Sequence, residues 1–473
     1  MKRILGLAML FIICLSSQAA WWEKARKVKN TAEKGYIYRF WLKDKQNNEY
    51  SIQHPIKFLS AKAIERRNRQ GLAIDSTDLP VSSKYIRLFR QKGIKIAGTS
   101  KWNNTVLVYT ADSTTLNQLK HLACVKRWAQ VWQTPDSVIP MTKRPKIHKD
   151  FNKWDSVMTS SYGAAKEQTE TVNGIRLHQC GFMGKGKCIA VLDGGFENAN
   201  LIPALSNANV VGARDFVIAS PANIYNETDH GTRVFSAMAA WAPHVMKGTA
   251  PEASYWLLRC EDRQSEQPVE EDYWAMAAEF ADSVGVDIIN SSLGYTRFDN
   301  HADDHHYKDM DGHSTLISNT ASMLTAKGII LVCSAGNKGM GPWKKLDFPA
   351  DADSILTVGA ITPQLENAPF SSVGPTQDGR IKPDVMAPGS PACLISGRGT
   401  LVQDMGTSFA TPIVCGMVAC LWQALPKLSA IQIIDLIRQS GNNRQHPDNV
   451  FGYGVPDFWH AYNEGLKGMS IKK

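Results

Sequence analysis

Short apolar runs recur through the last two thirds of this chain: Cys188–Leu192, Val286–Asn290, Gly328–Val332 and Ile355–Ile361. Helical spacing separates several of them, at 271–284 and 314–327. Continuous apolar strands alternating with helices predict an α/β architecture, a doubly wound and mostly parallel sheet covered on both faces. In such sheets chemistry gathers beyond the carboxyl ends of the strands. The polar residues that follow each run are therefore the ones to inspect.

The first third has a different texture. Residues 37–42 and 104–110 read as strands, and 58–70 and 83–92 carry apolar residues at helical spacing, among them Ile64, Tyr85, Ile86 and Phe89. Together they predict a small α+β domain over 21–133. Residues 134–160 are punctuated by Pro135, Pro140 and Pro145 and carry Lys143, Arg144, Lys146 and Lys149, which predicts an exposed linker. The doubly wound unit then occupies 161–473.

Composition narrows the class. The 473 residues are 43% hydrophobic and 21% charged, which excludes collagen-like, low-complexity and wholly disordered chains. The net charge of +9 suggests nucleic acid until it is divided. Residues 21–150 carry 26 Lys and Arg against 10 Asp and Glu, whereas residues 151–473 carry 25 against 34. Opposite signs favour docking of the two parts on each other. No nucleic-acid motif accompanies the basic third, so no nucleic-acid partner is expected.

Residues 1–20 read as an export signal. Lys2-Arg3 precede an apolar run from Ile4 to Leu15, and Ser17-Gln18-Ala19 supplies small residues for a signal peptidase. Export to periplasm or medium is expected, with no membrane span in the mature form. Nine cysteines include Cys14 in that run and Cys124 in the basic third. Cys333, Cys415 and Cys420 lie in apolar runs and read as core residues. Cys180 and Cys188 are the candidate bridge.

Three ionisable or nucleophilic groups fall at element ends. The strand ending in Leu192 runs into Asp193-Gly194-Gly195. Asp229-His230-Gly231-Thr232 opens an apolar helical stretch. Gly406-Thr407-Ser408-Phe409-Ala410-Thr411-Pro412 opens a long helix of small and apolar residues, with Pro412 placed in its first turn. Each alone has a structural explanation: a turn aspartate, a helix-start histidine, an N-cap serine. Together they supply what acyl transfer needs, because serine attacks only when a base takes its proton and the base needs an acid to fix its tautomer. The strand before Cys333-Ser334-Ala335-Gly336-Asn337 adds Asn337, whose amide can donate to an oxyanion.

In this order, Asp-Gly-Gly, His-Gly-Thr, Ser-Ala-Gly-Asn and Gly-Thr-Ser-Phe-Ala-Thr-Pro resemble the subtilisin-like serine proteases, the subtilases, over roughly residues 162–462. The chain order Asp, His, Ser separates them from chymotrypsin-like enzymes and α/β-hydrolases. Lys382-Pro383-Asp384-Val385-Met386-Ala387-Pro388-Gly389 resembles the family's turn before the serine helix. Asn290-Ser291-Ser292-Leu293-Gly294 resembles its substrate-lining strand, which takes peptide by strand addition.

The resemblance implies a subtilisin-like fold and a serine endopeptidase made as a zymogen. Asp193 would orient, His230 act as general base and acid, Ser408 attack, and Asn337 hold the oxyanion. Ser292, Leu293, Gly294, Ala335 and Gly336 would line the groove for a polypeptide substrate. The α+β domain would be an intramolecular inhibitor, removed by cleavage near 145–161. No cofactor is needed for this chemistry, and structural calcium is a candidate that no motif locates. Three departures from the family pattern stand out. Arg233 replaces a common His, Phe235-Ser236 replaces a small pair, and Gly194 replaces Thr or Ser. Asp299 to His313 is rich in Asp and His and reads as a solvated polar insertion, with metal binding as the alternative.

Overall fold

The computed structural model describes residues 27–140, 146–147 and 158–470. The export signal proposed for residues 1–20 and most of the linker from 141 to 157 lie outside these residues.

The N-terminal unit is an antiparallel sheet with helices on one face. Its strands are β1 (Tyr36–Leu42), β2 (Ile96–Ser100), β3 (Thr105–Thr110) and β4 (Val125–Gln133), in the order β2-β3-β1-β4. Its helices are α1 (Ala61–Gln70), α2 (Ser83–Gln91) and α3 (Ser113–Leu119). Helix α1 starts where the Ser60 side chain accepts the Ala63 N–H and stops at Gly71, whose φ of 68° is the left-handed cap. Phe40, Phe89, Val106 and Val108 fill the space between sheet and helices, all with 0% exposure. A short pairing of Val28–Lys29 with Ser137–Val138 ties the two ends of the unit together.

The larger unit is built on seven parallel strands: β5 (Cys188–Asp193), β6 (Asn209–Asp215), β7 (Ser254–Arg259), β8 (Ile288–Ser291), β9 (Ile330–Ser334), β10 (Leu356–Ile361) and β11 (Val385–Pro388). Their order is β11-β10-β9-β8-β5-β7-β6. Successive residues of β5 serve opposite faces: Ile189 and Val191 join one core, Ala190 and Leu192 the other. This explains why the strands read as unbroken apolar runs rather than as alternation. Helices α4 (His230–Ala239) and α7 (Thr407–Ala424) cover one face; α5 (Val269–Val284) and α6 (Leu316–Met323) cover the other. Among the described residues α7 alone is long and apolar enough to cross a membrane, and 89% of it is buried in this core.

The candidate Cys180–Cys188 bridge does not form. Both are free thiols: Cys180 is exposed, whereas Cys188 is half-buried against the α5 face. Cys333, Cys415 and Cys420 are fully buried, as expected.

The two units meet on α5, where Ile37, Trp102, Leu107, Val131 and Trp132 join its apolar core and charged groups pair around them. Arg39 Nε donates to Asp272 at 2.8 Å. Asp282, with 0% exposure, receives Arg66 at 2.6 Å, Arg67 at 2.8 Å and Lys101 at 2.9 Å. Glu279 accepts the backbone N–H groups of Lys101 and Trp102. From the other side Lys327 reaches Asp78 at 3.1 Å. Burial pushes the Asp282 carboxyl up, but its three cations outweigh this and hold it down at about 2.

Candidate active site

Asp193 is the last residue of β5 and is wholly buried. Its turn is fastened three ways: Gly194 N–H donates to Asp193 Oδ1, Cys260 N–H to Asp193 O, and Arg259 Nε to Gly194 O. His230 is the first residue of α4. A Cβ at Gly231 would lie 2.3 Å from Gly195 O and 2.9 Å from Asp193 Cβ, so the helix start can approach the aspartate this closely only with glycine there. The result is a short bridge, with His230 Nδ1 2.9 and 3.0 Å from the two Asp193 oxygens.

Burial disfavours the charged imidazole, but the Asp193 charge and hydrogen bond, aided by Glu261, hold His230 up at about 9. Glu261 was not singled out in the sequence. Burial and the Asp193 charge push it up to about 7, against the pull of His230 and Arg259. Arg233, a departure from the family pattern, pulls the other way on His230. It is held by Asp229 at 2.9 Å and by Asp404 of the strand Leu401–Asp404 at 2.6 Å.

Ser408 is the second residue of α7, with 8% exposure, at the helix end that carries unpaired N–H groups and partial positive charge. Its hydroxyl donates to Ser292 O at 3.2 Å. The Phe409 ring lies 5.6 Å from the His230 ring, which places the serine turn beside the imidazole. Pro412 is not in the first turn, as the sequence suggested, but one turn further in. Its missing N–H releases the Ser408 carbonyl, and Ser292 Oγ donates to that oxygen at 2.8 Å. The proline thus ties the Ser408 backbone to the segment that follows β8.

Asn337 lies past the end of β9. Its Oδ1 accepts both the backbone N–H and the hydroxyl of Thr407 at 3.0 Å. With the oxygen pinned, the NH₂ end is left over, and neither it nor the Ser408 N–H has a partner among the described residues. Thr407 also accepts the Gly336 N–H at 3.2 Å, so one threonine registers the whole turn against the serine helix. Its role was not read from the sequence, although it stands inside the motif.

Ser292, Leu293 and Gly294 run on from β8. Among the described residues no hydrogen bond engages the backbone of Leu293 or Gly294, which leaves an open strand edge. Ala335 and Gly336 lie opposite, both buried. All nine residues singled out in the sequence therefore fall at the carboxyl ends of β5, β8 and β9 or at the first turns of α4 and α7. In the segment between β7 and α5, Gln267 exchanges two hydrogen bonds with Gln133, and Gln264 exchanges two with Ile139. The chain leaving the N-terminal unit is thereby held to the larger unit.

In the Asp299–His313 insertion the carboxylates serve local turns. Asp304 accepts the Phe298 N–H, and Asp311 accepts those of His313 and Ser314. His305 pairs with Glu271 at 2.9 Å.

Comparison with known proteins agrees with this geometry. The subtilase family (peptidase S8) matches residues 184–454, and the peptidase S8 propeptide domain of Bacteroidota matches residues 37–147. The chain is 30% identical over 282 residues to Subtilisin NAT of Bacillus subtilis subsp. natto, a match covering 59% of this chain and 65% of that protein. It is 28% identical over 267 residues to Subtilisin DY of Bacillus licheniformis, covering 56% and 86%. It is 27% identical over 285 residues to the thermostable alkaline protease of Halalkalibacterium halodurans, covering 60% and 70%. With its parallel sheet, its ordered motifs and its N-terminal propeptide domain, the chain belongs to the subtilase family.

Proposed function

We propose that this protein is a serine endopeptidase, exported and made as a zymogen, that cleaves extended polypeptides through an acyl-enzyme. The observation that carries the reading is the convergence of the Asp193–His230 bridge, the Ser408 turn and two unpaired donors on one groove. Ser408 attacks the scissile carbonyl as His230 Nε2 takes its proton. Asp193 holds the tautomer and stabilises the imidazolium. The oxyanion that forms is received by Asn337 Nδ2 and the Ser408 N–H. His230 returns the proton to the leaving amine, and water then repeats the cycle on the ester. Every step uses protein groups. Substrate backbone pairs with the open edge of Ser292, Leu293 and Gly294, opposite Ala335 and Gly336.

In the same reading residues 1–20 are the export signal, 21–133 the inhibitory prodomain, 134–160 the processing linker and 161–473 the catalytic domain. The clasp of Gln264 on Ile139 and of Gln267 on Gln133 supports an inhibitor whose outgoing chain is held against the catalytic unit. Intact mass and N-terminal sequencing of wild type and Ser408→Ala test this. Wild type should lose its prodomain while Ser408→Ala keeps it. Identical processing of both would remove the case for self-maturation.

A further inference from the structure

Two of the departures from the family pattern, Arg233 and Ser236, meet on one hairpin. Its strands, Ala392–Ile395 and Leu401–Asp404, pair antiparallel, and the second runs through Met405 and Gly406 straight into the Ser408 turn. Both departures reach it from α4, the helix that begins with His230. Arg233 Nη1 donates to Asp404 Oδ2 at 2.6 Å, on the strand that leads to Ser408. Arg233 Nε and Nη2 donate to Asp229 Oδ2 at 3.0 and 2.9 Å, on the residue just before His230. From the hairpin's turn, the Gly397 N–H donates to the same Asp229 oxygen at 3.0 Å. A Cβ at Gly397 would lie 2.6 Å from Asp229 Cβ, so the turn closes on that carboxylate only with glycine there. One turn further along α4, wholly buried Ser236 accepts the Ile395 N–H at 2.9 Å and donates to Arg233 O at 2.7 Å.

A guanidinium fork can serve two carboxylates at once with fixed geometry, which a lysine's compact ammonium does not reproduce. Asp404 lies four residues before Ser408, and Asp229 directly precedes His230. The Arg233 fork therefore joins the two backbone segments that hold the proposed nucleophile and its base. Proton transfer between those groups needs their separation held, because a misplacement of about 1 Å costs on the order of 10²-fold in rate. We infer that Arg233 is a positioning residue that, through Asp229 and Asp404, sets the hairpin and with it Ser408 against His230. Ser236 seats the hairpin's other strand on the same helix. This role rests on the serine endopeptidase reading and adds to it a residue that touches neither substrate nor the reacting atoms. The charged groups acting on His230 are Asp193, Glu261 and Arg233, and those acting on Arg233 are Asp229 and Asp404.

The test uses the purified full-length chain with the processing it undergoes on expression. Fluorophosphonate labelling of Ser408 counts the reactive sites, so that kcat is taken per labelled site. Arg233→Gln should lower kcat about 10-fold with KM little changed. It also removes a positive charge that opposes Asp193 and Glu261 at His230, so the rise of kcat/KM should move to higher pH. Arg233→Lys keeps the charge without the fork: kcat should fall while the pH profile stays in place. Asp404→Asn should cost as much as Arg233→Gln, and the double variant no more than either alone. Unchanged kcat per labelled site in Arg233→Gln and Asp404→Asn overturns the inference and leaves the protease reading standing. So do losses confined to KM, or losses that add in the double variant. Asp404→Asn, on a partly exposed strand, decides even where Arg233→Gln fails to fold. A wild type that neither labels nor cleaves overturns the protease reading, and this inference with it.

Discussion

Across the central sheet, contact is aliphatic and aromatic: Ile189, Val191, Ile288 and Ile330 meet the α7 side, and Trp274 of α5 closes the other. Between the two units, on the outer face of that same α5, buried ion pairs are added to apolar contact: Asp272, Glu279 and Asp282 receive Arg39, Arg66, Arg67 and Lys101, beside Ile37, Trp102, Leu107, Val131 and Trp132. Apolar burial is non-directional and stabilises in proportion to area. Buried ion pairs gain little against desolvation but are costly to break singly, because one charge is then stranded. The first kind of contact suits a core that must persist. The second suits a partner that must dock in one register and that, in the proposed reading, is lost after processing. One helix carries both, so the contrast can be tested on neighbouring residues.

The largest effect is expected at Ser408, the proposed nucleophile. Ser408→Ala should lower kcat about a million-fold, the size of loss seen when the nucleophile of a subtilisin is removed, with the thermal midpoint unchanged. Asn337→Ala should cost about 10²–10³-fold in kcat with little change in KM, again the scale known for such a donor in a subtilisin. Trp274→Ala, inside α5, should destabilise the catalytic unit by about 3–5 kcal/mol, read as denaturant midpoint before and after processing. Asp282→Ala, on the other face, strands Arg66, Arg67 and Lys101. It should weaken the interface by about 3–5 kcal/mol, read as protease sensitivity of the prodomain, and leave the processed enzyme's stability alone. If both variants destabilise the processed enzyme equally, the division of labour on α5 is wrong. Arg69→Ala, which breaks the partly exposed pair with Asp287 at 3.3 Å, should change docking by less than about 1 kcal/mol.

The electrostatics of the site give a pH prediction. His230 must be neutral to accept the Ser408 proton, and Asp193 with Glu261 holds it up at about 9. kcat/KM should therefore rise with pH through about 9 rather than near the 6.5 of an ordinary imidazole. The same shift stabilises the fold fully below about 6.5, and that contribution is lost as pH rises through about 9. Glu261→Gln removes a charge that favours the imidazolium and should move the rise to lower pH. A profile that does not move would remove Glu261 from the site's electrostatics.

What the sequence revealed follows from where chemistry sits on this fold. Asp193, His230, Ser408 and Asn337 stand at the ends of strongly patterned strands and helices, so their motifs and element ends coincide. Four inner strands were legible as apolar runs because both faces of the sheet are covered. β6 was not, because it is the sheet edge, and Val210 and Val211 are exposed there. β4 was not, because its outward residues Lys126, Arg127 and Trp128 break the alternation. Glu261 left no signal at all, because only folding brings the segment after β7 close enough for its charge to act on His230. Pro412 was misplaced by a turn because a motif fixes residue order but not the helix start.

The most direct measurement is hydrolysis of an unfolded polypeptide by the wild-type chain and by Ser408→Ala, prepared identically and followed by mass spectrometry of the products. Cleavage by wild type, with none above background from Ser408→Ala, is the expected result. Equal cleavage by both, or none by a wild type whose prodomain has been removed, would contradict it.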